Sequence, residues 1–158
     1  VLGQIYESYP KFPSLHYSKG LIYVRLSNFK AAIREFEQEI KNGNPSTQNL
    51  VELGKAHLEL RETDNALEYF VRAIKRSPAE SEPKFQAGKA NFALKRYEAA
   101  IAMYQEALKV DSGNPLIYRH MGYAYRAIGD SGNTRWAFGK YLEMEPDAAD
   151  KAEIQKNL

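Results

Sequence analysis

A shift of 34 residues lays this chain on itself, and that period restricts the fold more than any local pattern does. Gly88 moves forward onto Gly122 and backward onto Gly54 and Gly20, while Ala100 moves onto Ala66 and Ala32. Tyr104 falls on Phe138, Phe70 and Phe36, Ala90 on Ala124, and Val110 on Met144. No insertion breaks the phase. A fixed period of this size belongs to stacked supersecondary units, none of which can bury its apolar face alone. The most regular copy, Ser81 to Asn114, reads as two short helices with small residues at Gly88, Ala100 and Ala107 among larger apolar ones.

The spacing of the large and small residues resembles the tetratricopeptide repeat family. Its signature places a large apolar residue, Leu-Gly, Tyr, then Ala, Phe, Ala and Pro along a helix–turn–helix. Leu50, Leu53-Gly54, Ala66, Phe70, Ala73 and Pro78 fit it in one copy, and Tyr118, Met121-Gly122, Tyr125, Phe138 and Pro146 in another. The resemblance runs from Pro13 to Ala148 and implies an all-α, right-handed α-solenoid of stacked helix–turn–helix repeats. Fold does not fix function, so function must be argued from surface residues.

The phase divides the chain into repeats at 13–46, 47–80, 81–114 and 115–148. Residues 1–12 are expected to end a truncated preceding repeat, because Leu2, Ile5 and Tyr6 share a helical face and Pro10 aligns with Pro78 and Pro146. The start at Val1 suggests a processed or excised chain. In the first repeat, helices are expected near Ser14–Leu26 and Phe29–Lys41, closed by Asn42-Gly43-Asn44-Pro45. Its irregular residues are Lys19, where other repeats carry Leu53, Ala87 and Met121, and Glu39, where they carry Ala73, Ala107 and Tyr141. Thr47 is a candidate helix start, Thr63-Asp64 a turn within the second repeat, and Pro83 a first-turn proline. In the fourth repeat, Gly129-Asp130-Ser131-Gly132-Asn133 predicts a looser turn. Gly139 predicts an interrupted, mobile second helix at a cost of about 1 kcal/mol. Residues 149–158 are expected to form a capping helix with Ala149, Ala152 and Leu158 on its apolar face.

Composition narrows the function. With 22 basic and 20 acidic residues the net charge is only +2, which supports neither nucleic-acid nor membrane-surface binding. There is no cysteine, so disulfides, thiolate catalysis and cysteine-type zinc sites are excluded. No apolar run approaches the roughly 20 residues that span a bilayer. A soluble protein is expected, with the compartment open between cytoplasm and periplasm. His16 and His57 fall in the core-facing phase and are expected to pack, whereas His120 faces outward beside Arg119 and Tyr123. No catalytic triad, HExxH, phosphate loop or supported carboxylate pair stands out, so neither enzyme activity nor a metal or cofactor is expected.

The informative positions lie about 100° around each first helix from the core stripe, which in the third repeat is Lys84, Gly88 and Asn91. This adjacent stripe is Tyr17, Leu21 and Val24, then Val51, Lys55 and Leu58, then Phe85, Lys89 and Phe92, and finally Arg119, Tyr123 and Arg126, with His120 beside it. The family resemblance implies that the stripe lines a concave groove binding an extended or helical peptide. Its residues suit a protein or peptide partner with an apolar anchor and acidic groups, although Glu52, Glu59 and Glu82 border the same surface. Chaperone-adaptor relatives grip a terminal carboxylate with Lys and Asn four residues apart. Tyr17 and Leu21 stand at those places here, with Glu52, Glu82 and Gln86 at later ones, so that clamp is absent. Trp136 is expected to pack beneath the capping helix, the alternative being a second contact or self-association surface. The leading function is a non-catalytic interaction module within a larger assembly. The alternatives are a self-assembling scaffold joined through repeat ends or the convex face, giving a homo-oligomer, and the recognition segment of a larger enzyme.

Overall fold

The computed structural model describes residues 15–43 and 45–156, and among these the regular structure is entirely helical. The helices are α1 (Leu15–Arg25), α2 (Phe29–Lys41), α3 (Thr47–Glu59), α4 (Thr63–Arg76), α5 (Ser81–Ala93), α6 (Tyr97–Val110), α7 (Pro115–Ala127), α8 (Ser131–Met144) and α9 (Lys151–Lys156). They fall into two compact units, Val1–Pro78 and Ala79–Leu158. In the first, α1 packs on α2, α2 on α3 and α3 on α4, and α1 also touches α3. In the second, α5, α6, α7 and α8 repeat that order, with α5 touching α7. The fold class is the all-α stack of helix–turn–helix repeats that the period predicts. The truncated repeat expected at 1–12 lies outside the described residues.

The repeated glycine has a specific steric cause. A β-carbon on Gly122 would sit 2.6 Å from Phe138 Cδ1, and one on Gly54 would sit 2.5 Å from Phe70 Cε1. The approach is closer still at Gly20 against Phe36 and at Gly88 against Tyr104. Each ring is fully buried, so the second helix of a hairpin inserts its largest side chain into the notch left on the first. Sequence spacing points to close helix approach. What occupies the notch is the aromatic ring sixteen positions on, with Ala32, Ala66 and Ala100 buried beside it.

The turns inside the hairpins are also periodic. Ser27 and Asn28 donate to the carbonyls of Val24 and Tyr23, Arg61 and Glu62 to those of Leu58 and His57, and Lys95 and Arg96 to those of Phe92 and Asn91. Gly129 and Asp130 do the same to Arg126 and Tyr125. All four are Schellman closures, which place one residue in the left-handed region. That residue has φ of 55° at Ser27, 60° at Arg61, 59° at Lys95 and 78° at Gly129. Only the fourth repeat has the residue type suited to this conformation. Replacing the exposed Lys95 with glycine is therefore expected to raise stability by about 0.5–1 kcal/mol, relief of left-handed strain exceeding the entropy glycine adds to the unfolded chain. Urea unfolding checks this; a midpoint that stays put or falls sinks it.

Three local expectations are corrected. Thr63 and Asp64 do not form the turn of the second hairpin: that turn is Leu60–Glu62, and both residues begin α4, where Asp64 faces the positive helix terminus. Gly129 to Asn133 is no looser than its sisters, because Asp130 caps α8 through the backbone N–H of Asn133 and Ser131 is already helical. Gly139 does not break α8, which is continuous from Ser131 to Met144. At the start of α3 the cap is Ser46, which accepts from the N–H of Asn49, with Thr47 as first helical residue.

The C-terminal helix docks differently from the expected pattern. Ala149 and Ala152 are exposed and Leu158 lies outside the described residues. The anchor is Ile154, 1% exposed, packed with Phe138 and Tyr141 and flanked by Tyr118, Tyr123, Leu142 and Ala148. Asp150 fastens the approach to the helix: Arg119 Nε donates to its Oδ2 at 2.5 Å and the Tyr141 hydroxyl to its Oδ1 at 2.9 Å.

Candidate functional site

In the unit Val1–Pro78 the stripe beside the core divides into buried and accessible parts. Tyr17, Leu21 and Val24 on α1 are half-buried and pack against the core of Ala32, Phe36 and Leu53. The Tyr17 ring lies 5.9 Å from that of Phe36. Burial raises the Tyr17 pKa, helped by the negative charge of Glu52 and opposed by Lys55, so the start of α1 and the middle of α3 meet at this hydroxyl. Lys55 Nζ donates to Glu52 Oε1 at 3.2 Å, which offsets its charge locally. Leu58 is half-buried, but Val51 is only 5% exposed and belongs to the core.

The stripe of the second unit, Ala79–Leu158, is more aromatic and more cationic. Phe85, 6% exposed, is a core residue with its ring 6.0 Å from Tyr104. Lys89 Nζ stands 5.7 Å from the Phe85 ring centre. Phe92 at the end of α5 meets the Tyr97 ring edge to face at 5.3 Å. On α7 the Tyr123 ring has its edge against the buried Phe138 at 5.0 Å and carries two guanidinium groups, Arg119 at 5.4 Å and Arg126 at 5.0 Å. Spacings of four and three residues put both arginines on the helical face of Tyr123. Burial disfavours the charge on Arg119, but the hydrogen bond and charge of Asp150 prevail and hold its pKa above the ordinary value.

His120 does not face outward as the helical phase suggests. Its ring meets Phe85 edge-on at 5.3 Å and lies 6.1 Å from Tyr104, wedging between α5 and α6. Burial, then the charges of Lys89 and Arg119, lower its pKa to about 4, so it is neutral near pH 7. Tyr104 beside it is fully buried and its hydroxyl has no hydrogen-bond partner among the described residues, and burial raises that hydroxyl's pKa. The other histidines pack, as their phase predicts, and also bond: His57 Nδ1 pairs with Glu62 Oε2 at 2.6 Å under a stacked Tyr69 ring, and the half-buried His16 Nδ1 pairs with Glu35 Oε2 at 2.8 Å.

Trp136 is not beneath the capping helix. It is 46% exposed, meets the Tyr118 ring edge-on at 5.9 Å, and borders a cleft of about 540 Å³ whose walls include Gln105 and Leu108 of α6, Tyr125 of α7 and Asn133 of α8. Helix α9 is anchored by Ile154 on Phe138 and Tyr141 instead, which leaves the indole uncovered. Sequence reasoning missed three participants: Asp150 and Tyr141, which hold Arg119, and Tyr104, which backs His120. Asp150 lies past the last repeat and has no sister position to signal its role. Among the described residues no three histidine or acidic side chains gather as a metal site, and no helix is long and apolar enough to cross a membrane.

Comparison with known proteins adds a family and a fold. A family model described as tetratricopeptide repeat matches residues 13–41 and 47–80, and another described as TPR repeat matches 88–129. No curated protein matches the sequence. Among solved structures the chain is similar to YrrB, described as a TPR protein with an unusual peptide-binding site, with 21% identity and a TM-score of 0.81 over 89% of this chain and 73% of that one. It is also similar to MamA, with 21% identity and a TM-score of 0.78 over 85% of this chain and 77% of that one. The fragment of MamA from Desulfovibrio magneticus RS-1 starting at residue 41 gives 19% identity and a TM-score of 0.78, with coverage of 85% and 76%. At these identities the likeness concerns fold alone.

Proposed function

We propose, from the premise that this chain belongs to the tetratricopeptide repeat family, that it is a non-catalytic protein–protein interaction module. In each unit the stripe beside the core, on α1 and α3 in the one and on α5 and α7 in the other, holds a segment of a partner protein within a larger assembly. One observation carries the reading: Tyr17, Leu21, Val24, Leu58, Phe92 and Tyr123 are large side chains left only half-buried on these helices, outside the notches that the fold requires. Apolar and aromatic side chains grouped on an accessible face mark a contact surface more often than a neutral one. YrrB, of similar fold, is described as having a peptide-binding site, which accords with this use of the architecture.

A photo-reactive phenylalanine analogue at Leu21 or Tyr123, irradiated in lysate of the source cell, is expected to join the same partner from both positions. The analogue at the exposed Glu68 or Ala102, on the second helices, should leave that partner unlabelled. Labelling from Glu68 or Ala102 alone would move the contact off the stripe. A dimer-sized product formed from position 136 would instead establish self-association at the exposed indole.

A further inference from the structure

The cations of the second unit's stripe are held in place but not all are spent. Lys89 and Arg126 form no ion pair with any described residue, while Arg119 is fixed through its Nε by Asp150, leaving its terminal nitrogens as further donors. In the first unit the corresponding charge, Lys55, is already offset by Glu52. Tyr123 is braced against the buried Phe138, so it is a fixed platform on which Arg119 and Arg126 rest. Guanidinium groups parked on a ring lose less freedom on binding than free ones, and their planar forks match a carboxylate. Of the nearby acidic groups, Asp150 is committed to Arg119 and Tyr141, and Glu82 accepts from Gln86 and stands exposed. The positive field is felt at His120, whose proton Lys89 and Arg119 help to exclude.

We infer that the stripe of the unit Ala79–Leu158 takes an acidic segment of a partner protein, its Asp or Glu carboxylates gripped by Lys89 and Arg126 and reached by the free edge of Arg119. This rests on the reading of the stripe as the binding face, and it names the chemistry of what binds there. Charge complementarity selects the occupant: an uncharged or basic segment would leave two desolvated cations unpaired. The half-exposed Phe92 and Tyr123 supply the apolar contact between the charged ones. A carboxylate bound there offsets the positive field that Lys89 and Arg119 set up at His120, so binding and the His120 titration are linked.

Four fluorescein-labelled decapeptides with Leu at alternate positions and Asp, Asn, Lys or phosphoserine at the others serve as probes, read by anisotropy at low and physiological salt. The Asp peptide is expected to bind at least roughly ten-fold tighter than the Asn peptide, with the Lys peptide weakest. The pair Lys89→Met and Arg126→Gln should weaken the Asp peptide by a similar factor with helicity unchanged, and Arg126→Lys should restore only part of the loss. The Asp peptide should also raise the His120 pKa in an NMR titration, its signals assigned with His120→Gln. Equal binding of the Asp and Asn peptides, or no loss in the double variant, overturns the inference, as does failure of all four to bind. A phosphoserine peptide that binds far more tightly than the Asp peptide overturns it in favour of phosphate. If the Asn peptide binds as well as Asp and Phe92→Ser weakens both, the stripe remains the binding face and only its acidic preference fails. If the Asp peptide survives the double variant and shifts Trp136 fluorescence, the ligand lies at the other face and both readings fail.

Discussion

Alanine at position 88 is expected to lower the stability of the unit Ala79–Leu158 by about 2–3 kcal/mol, despite alanine being the better helix former by about 1 kcal/mol. The added methyl would lie well inside carbon–carbon contact with Tyr104 Cε1 and Cδ1, and Tyr104 is fully buried. That ring cannot swing into solvent. It is bounded by Phe85 and His120, with Ala100 and Ala107 in the same core. Relief therefore needs the whole of α6 to move off α5, which gives up contacts along the hairpin. If the ring is the obstacle, Tyr104→Leu should cancel most of the penalty, so Gly88→Ala in the Tyr104→Leu background should cost much less than in the wild type. Urea unfolding followed by circular dichroism and by the fluorescence of Trp136, which lies in the same unit, measures all four corners of the cycle. Additive penalties would show that Gly88 answers to something other than Tyr104.

The same hairpin shows why part of this architecture was legible in the sequence. The notch and its ring recur at a fixed separation, so Gly20, Gly54, Gly88 and Gly122 announce themselves by position even though the partner of each does not. Left-handed closures escape such reading, because Ser27, Arg61 and Lys95 look like ordinary polar residues and only Gly129 carries the expected type. The candidate face was readable as a stripe, but helical phase alone could not say how deep each member lies. Val51 and Phe85 share the phase of Lys55 and Lys89, yet the former pair is buried and the latter only half-buried. His120 went astray for the same reason: its angle about α7 points away from the core of its own hairpin but towards α5 and α6 of the preceding one. Past the last repeat there is no periodicity to use, and Asp150 and Ile154 were invisible among residues of similar type. Burial there is decided by where α9 lands on Phe138 and Tyr141.

His120 should make this unit lose stability in mild acid, before the carboxylates titrate. In the folded chain its pKa falls from 6.5 to about 4, first through burial and then through the charges of Lys89 and Arg119. An unfolded chain takes up the proton near the ordinary histidine value, while the folded one refuses it until the pH is far lower, so acid favours unfolding throughout the interval. Stability from this group is fully present above about 6.5 and is lost as the pH falls towards about 4, up to about 3 kcal/mol in total. Asp150 does not account for such a slope. Burial pushes its carboxyl upward, but the hydrogen bonds from Arg119 and Tyr141 and the arginine charge hold it below the usual carboxylate value, so its contribution disappears at lower pH. Urea midpoints followed through Trp136 fluorescence should therefore fall steadily as the pH is lowered across that window in the wild type. In His120→Phe the fall should be much shallower, with His16 and His57 still present to report any general histidine effect. A wild-type midpoint that is flat across the window, or a variant that keeps the full slope, would place the imidazole in water rather than between Phe85 and Tyr104.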